Sequence, residues 1–559
     1  MKNNIKYLVL ASLLIINLVS WGQEEEINHN VVVMRNYSPV IGDANKLSEQ
    51  PQIIDTTTVN PNFKYSINSK PFFPQFTPKN IKPVKMIGEP LKKLYHNYAL
   101  IGYGNYTKPM FEYRYGTKRS KDLLAGFNIK HLSQNGNIKL EGLEDKVYTG
   151  YSHNHANVFL HKIFKESTLE TDLTYKRHGL HYYGHNLAVA DTIMEKNDNR
   201  QVFSWMNATM RYKSTYLTQN KVNYNVAIDY NYYEDYYSNF LNDLALIGDF
   251  SLLYNKELIG LDFNIHHYNQ LSPTFVYSNT MYNFHPNVKL ENKYWGLQVG
   301  LNIDVDSNND STLYHFYPKI DFSYKVIDYF LVPYIGISGG KISNNYRKIS
   351  LENPFIKPGL VVKNTNNFIV LNGGLRGNFT ENLSYNLQAT YSVIDNAYFY
   401  TNDSSNITEN QFIVEYDDIE RYDINAELNW AKAKHLQFSL MAKYHGFKLD
   451  KVEHAWHIPD YEVIFSTNYN LKKKIIIDFD MFVLGQRYAK TYYASGSFGT
   501  YETIKIPETF DMSIGIEYRY TKVLSAFLRV NNILARKNYL WNYYPTEGFN
   551  VMGGIIYSF

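Results

Sequence analysis

The sequence predicts an all-β protein, a transmembrane antiparallel β-barrel of about 22 strands. Three observations carry this. Apolar and polar residues alternate with a period of two through long stretches, the mark of strands with two unlike faces. Tyr counts 52 and Phe 32, yet mean hydropathy is −0.39. The chain also stops inside a strand, GFNVMGGIIYSF at 548–559, with nothing after it to cover its free edge.

Taken in chain order, residues 1–22 read as a signal peptide. Lys2 and Lys6 make a positive start, Tyr7 to Val19 is largely apolar, and Ser20 and Gly22 stand at the small positions of a cleavage site. The apolar run is too short for a spanning helix. No cysteine occurs, which excludes a Cys-anchored lipoprotein, disulfides and thiolate metal sites. A net charge of +3 is too small to suggest nucleic acid.

Residues 23–97 form a second, proline-rich and basic segment, expected in the periplasm. It holds eight of the 18 prolines, a density that blocks sheets and helices and favours extended chain. Its second half carries Lys64, Lys70, Lys79, Lys82, Lys85, Lys92 and Lys93 against Glu89. Such a chain can thread an acid-lined lumen, bind a periplasmic partner, or remain a solvated linker; composition does not separate these.

Residues 98–559 are expected to be the barrel. LQVGLNIDV sets Leu297, Val299, Leu301, Ile303 and Val305 against Gln298, Gly300, Asn302 and Asp304. KVNYNVAIDY, YDINAELNW and IIDFDMFV repeat the pattern. The strands are on the order of 10 residues or more, enough for a tilted bilayer crossing. Aromatic clusters at 230–237, 492–493 and 539–544 are expected at headgroup level, where a ring is half buried and a hydroxyl stays wet. Long connections are expected at 134–152, 184–200, 346–365, 403–418 and 491–506, all at the cell surface, with short ones such as 165–167, 255–257 and 380–382 on the other side. In a soluble β-sandwich such strands would alternate too; their length and the short–long rhythm of the connections favour the membrane. The final strand then pairs with the first. Tyr557 and Phe559 close the barrel, with Phe559 at the periplasmic rim.

Two stretches carry a family resemblance: IGYGNYTKPMFEYRYGTKRSKDLLAGFNIKHLSQNG at 101–136 and LRVNNILARKNYLWNYYPTEGFNVMGGIIYSF at 528–559. They resemble the TonB-dependent receptor-type outer-membrane barrels of Bacteroidota. The resemblance implies a 22-strand barrel in the cell outer membrane, and a terminal aromatic that signals barrel assembly. It also implies a folded plug ahead of the barrel, and 23–97 is too short for the usual one. VVVMRNYSP at 31–39 puts Val31, Val32 and Val33 where a TonB-contacting box would sit, a motif of low specificity that leaves TonB engagement open. A wide lumen without the usual plug needs inward loops, the 23–97 segment or a partner protein to fill it.

Candidate sites are few. His153 and His155 share one strand face, and His178, His181 and His185 follow one strand later; without a completing carboxylate or Cys they read as polar lining rather than a metal site. DVDSNND at 304–310 spaces Asp304, Asp306, Asn308 and Asp310 like the start of a calcium loop. Asn309 replaces the required Gly and His315 the closing Glu, so a solvated turn is expected. No catalytic motif is present, and no enzyme, cofactor or metal is expected. The functional expectation is a barrel subunit contacting outer-membrane lipid and outer-membrane or periplasmic proteins. The alternative is TonB-linked or passive transport of a substrate across the outer membrane.

Overall fold

The computed structural model describes residues 94–118, 120–140, 146–186, 199–215, 221–406, 408–432, 435–492 and 501–559. The wall is one closed 22-stranded antiparallel sheet. Strand β1 (Asn97–Gly104) pairs on one edge with β2 (Lys108–Gly116) and on the other with β22 (Asn550–Ser558). The free edge of the last strand is met by Tyr98 opposite Ser558 and Ile101 opposite Ile555. Its other edge pairs with β21 (Leu524–Asn531). Closure leaves no row of unpaired backbone groups, which is what lets a sheet stand in lipid.

Alternation sets the two faces. On β22, Ile555 and Tyr557 are exposed, while Met552 and Asn550 are buried. The exposed face continues sideways through Ile101 and Phe111, an apolar outer band. Among the described residues no helix is long and apolar enough to cross a membrane, so any crossing is made by strands.

The two ends of the barrel differ. Turns at one end are tight, as at 255–256, 381–382 and 472–474. The longest connections all lie at the other end, at 135–150, 182–199, 343–364, 403–411, 450–460, 485–508 and 532–549, beside short turns such as 236–239 and 272–275. The expected connections are found in place, with three corrections. Residues 412–417 are not loop but the start of a strand, because Phe412–Asp417 pair with Asn402–Ala397. The stretch before 491 is not wall: strand β19 (Ile475–Leu484) ends early, and Arg487–Tyr492 pairs with Tyr501–Ile506 inside its own loop. The last long loop opens after Asn531, so the aromatic cluster at 539–544 lies within a loop and not at a wall-strand end. In the last two cases the period of two is real, but the strands pair within their own loops, Arg487–Tyr492 with Tyr501–Ile506 and Tyr539–Trp541 with Tyr544–Pro545, rather than in the wall.

The aromatic clusters need a further correction. Tyr233, Trp541 and Tyr544 do not ring the outside; they pack inside the long-loop end. Tyr233 shares its face with Asp235 and Asn231, so strand parity aims it inward. Its hydroxyl is satisfied by Ser350 rather than by water.

Candidate functional site

The distinctive feature is a mouth closed by the protein's own loops. Within loop 343–364 lies α1 (Tyr346–Glu352), the one helix among the described residues. Asn345 caps it, its side chain accepting from the Lys348 N–H at 2.9 Å. The helix bridges separate parts of the wall. On one side Tyr346 donates to Asp235, which ends β7 (Val222–Asp235), at 2.6 Å. Arg347 donates to Asp243 of β8 (Phe240–Tyr254) at 2.9 Å. On the other side Glu352 accepts from Tyr398 at 2.6 Å and Tyr400 at 2.8 Å, both on β15 (Leu383–Asn402).

Around these bonds sits an apolar core. Ile349 and Ile356 are buried among Phe203, Tyr233, Tyr268, Phe412 and Tyr544. Phe355 stacks on Tyr544 with ring centroids 3.6 Å apart. A packed core of this kind normally lies between sheets; here it joins loops to the inner face of a barrel.

A second set of contacts locks the remaining loops. Glu409 accepts from the Thr491 hydroxyl and, at 3.0 Å, from the Tyr492 N–H. Arg487, 2% exposed, donates to the carbonyls of Tyr539 at 2.6 Å and Leu540 at 2.9 Å, and to Thr509 at 2.8 Å. Burial without a carboxylate partner lowers its pKa to about 10, still charged at neutral pH. His457 donates from Nδ1 to the Tyr400 carbonyl at 2.8 Å and accepts at Nε2 from the Asn542 N–H at 3.3 Å. Burial lowers its pKa to about 3, so the ring is neutral. Burial also raises the pKa of Glu409.

Beneath α1 the lumen wall encloses a cavity of about 550 Å³ lined by Tyr398, Tyr400, Trp541, Lys348, Arg421 and Asp423. Its charges are matched. Asp423 accepts from Arg421 at 2.8 Å and from His445 at 2.5 Å, and the Lys348 ammonium, whose own bond goes to the neutral Asn344 amide at 2.6 Å, is balanced by Glu352, also in the lining. Aromatic faces with matched charges suit a neutral or zwitterionic guest.

The residues singled out in the sequence fall as follows. His153 and His178 face each other across neighbouring strands, ring centroids 4.0 Å apart. His181 turns to the Gly150 carbonyl at 2.8 Å. Among the described residues no group of three or more His, Asp or Glu is placed to hold a metal. Asp304 and Asp306 are not in a solvated turn; they lie on β11 (Trp295–Asn308), buried. Asp304 accepts from Asn283 at 2.8 Å and the Lys341 N–H at 2.7 Å, and Asp306 pairs with Lys341 Nζ at 3.2 Å. Only Asn308 behaves as turn chemistry, accepting from the N–H groups of Asp310 and Ser311. Tyr557 stacks on Phe559 at 5.1 Å on the outer face. Val31, Val32 and Val33 lie outside the described residues.

Sequence reasoning missed α1 and its anchors Asp235, Asp243 and Glu352. One signal was available: Asn345 ahead of YRKISLE is a helix cap inside a long loop.

No family model and no curated protein matches the chain. Solved structures do. The FrpB iron transporter from Neisseria meningitidis (F3-3 variant) superposes with a TM-score of 0.62 at 11% identity, covering 84% of this chain and 82% of that one. The siderophore receptor PirA from Acinetobacter baumannii gives 0.64 at 9% identity, covering 84% and 81%. The pyoverdine outer membrane receptor FpvA from Pseudomonas aeruginosa PAO1 gives 0.62 at 10% identity, covering 84% and 79%. At such identities the likeness is one of fold: the 22-strand, TonB-dependent receptor-like barrel.

Proposed function

We propose that the chain is an outer-membrane barrel, closed at the cell surface by its own loops, that works as the barrel subunit of an outer-membrane complex. The long-loop end faces outward, and the apolar band contacts outer-membrane lipid. The observation that carries this reading is the interlocked mouth. A receptor that captures a substrate from outside needs loops that admit it. Here α1, the 403–411 turn and the loop hairpins share buried cores and buried hydrogen bonds, so the lumen is best reached from the periplasmic side. Partners are then outer-membrane or periplasmic proteins. Catalysis plays no part.

The likeness to transporters of metals and siderophores supports a second reading, TonB-linked or passive transport. Tagged purification from native outer membranes in mild detergent, with mass spectrometry of companions, tests the first. Stoichiometric companions support it. A barrel that purifies alone, and whose deletion of 31–39 abolishes uptake without loss of assembly, overturns it in favour of TonB-linked transport. In either reading Tyr557 and Phe559 serve as the assembly signal, and removing Phe559 lowers the amount of folded barrel in the outer membrane.

A further inference from the structure

A second cavity, of about 370 Å³, lies apart from the one beneath α1. Its wall comes from the first strands, from β22 and from β20 (Thr509–Arg519), and its roof from loops 343–364 and 532–549. Its polar groups do not balance. Lys108 is paired with Glu547 at 3.1 Å, and Asn550 Nδ2 donates to the same carboxylate at 2.7 Å. That bond fixes the orientation of the Asn550 amide, since an ionised carboxylate only accepts. Asn550 Oδ1 is therefore an acceptor, 4% exposed as a residue, with no donor. Asp511 also lines the cavity. Backbone N–H groups of Met512 and Asn532 hold its carboxylate, yet its buried Oδ1 has no donor either. Asp511 forms no ion pair among the described residues; the cavity's own cation, Lys108, is taken by Glu547.

Two open acceptors, one of them on an unpaired carboxylate, ask for a guest that brings donors and positive charge. The rings of the lining are already engaged, Tyr151 by the Lys108 ammonium 5.4 Å from its centroid and Phe355 by its stack on Tyr544, so the two oxygens carry the recognition. The geometry points to a binding site for a small organic cation, a primary ammonium or guanidinium compound of amino-acid size, held by Asp511 and Asn550. The volume is at the low end for ligand pockets, which excludes large guests. The site stands whether the barrel works in a complex or carries a substrate.

The test is calorimetric titration of the full-length detergent-solubilised barrel with agmatine, which carries both cationic groups, and with glutarate as an anionic control. Saturable agmatine binding is expected, with none for glutarate. Asp511→Asn should weaken it at least tenfold. Gly548→Phe provides a second, independent variant: a Cβ there meets nothing closer than 3.6 Å, so the ring can fill the cavity from the loop side and should abolish binding. Failure of agmatine to bind the folded wild-type barrel, or equal binding by Gly548→Phe, overturns the proposal and leaves ordered water as the partner of the two oxygens.

Discussion

The ring of Phe527 lies against the bare Cα of Gly554, its register partner on the last strand. A Cβ on Gly554 would stand 2.5 Å from that ring and 2.3 Å from the Ile101 carbonyl. Gly102, the next residue in the same row, also faces the ring, at 3.0 Å. The seam where the barrel closes is thus a large aromatic laid across two glycines.

Gly554→Val should therefore be among the most damaging single changes in the wall, costing at least about 1–3 kcal/mol. Phe527→Ala should rescue it only in part, because the Ile101 carbonyl remains in the way. Gly553→Ala, whose Cβ would meet its nearest atom at 3.7 Å, should be mild. Urea unfolding of the detergent-solubilised barrel reads all three.

Asp243 is 1% exposed and depends on Arg347 at 2.9 Å and His266 at 2.5 Å. Arg347→Met leaves the buried carboxylate with only the His266 ring and, at 3.4 Å, the Asn345 amide as partners, and should destabilise the mouth by about 2–4 kcal/mol. Adding Asp243→Leu should recover much of that loss, since no buried charge remains. A double-mutant cycle on loop protease resistance measures the coupling.

Deleting α1 removes the bridge from Asp235 and Asp243 to Tyr398 and Tyr400. In planar bilayers the deletion variant should conduct persistently, whereas the intact barrel should stay mostly shut from the surface side. Equal conductance of the two would mean that the loops do not seal the lumen.

His457 gives the mouth a pH dependence. Its pKa falls from 6.5 unfolded to about 3 in the closed mouth, so the stability it contributes is complete above pH 6.5 and is lost as pH falls toward 3. At pH 5 the loss is about 2 kcal/mol. Glu409 acts the other way. Its carboxyl pKa is raised from 4.5, so its contribution is present at low pH and fades as pH rises. Between pH 6.5 and 5 the loss from His457 should make opening more frequent, with the Glu409 carboxyl opposing it. His457→Asn can keep a donor to the Tyr400 carbonyl and should flatten that response in the same bilayer recordings.

Much of the wall was legible in the sequence. Val299, Leu301 and their neighbours alternate because one face meets lipid and the other the lumen, and that contrast is written in every strand. The strand count followed from turns such as 255–256 and 381–382. The mouth was not legible. Residues 487–492 and 501–506 alternate like wall strands, and nothing local says that they pair with each other. Tyr233, Trp541 and Tyr544 have the composition of a headgroup belt, and only strand parity and loop folding turn them inward. Asp304 and Asp306 mimicked a calcium loop because their partner Lys341 stands two strands along the wall, on Val332–Ile342, and not near them in sequence. Buried contacts between distant loops leave no periodic trace.

The hairpin of β15 with β16 (Phe412–Lys432) rises above its neighbours in the wall: there Ala397–Asn402 and Phe412–Asp417 pair only with each other, and Phe412 also bridges to Ile356 of loop 343–364. One face of this ribbon holds Tyr398 and Tyr400 against α1, and the other holds Ala397 and Phe399 against Trp456 of loop 450–460. Neither loop can lift without stripping a face from the same two strands. The mouth therefore has no partly open position to rest in: it behaves as a cooperative switch, and its openings should be rare, complete and of one size.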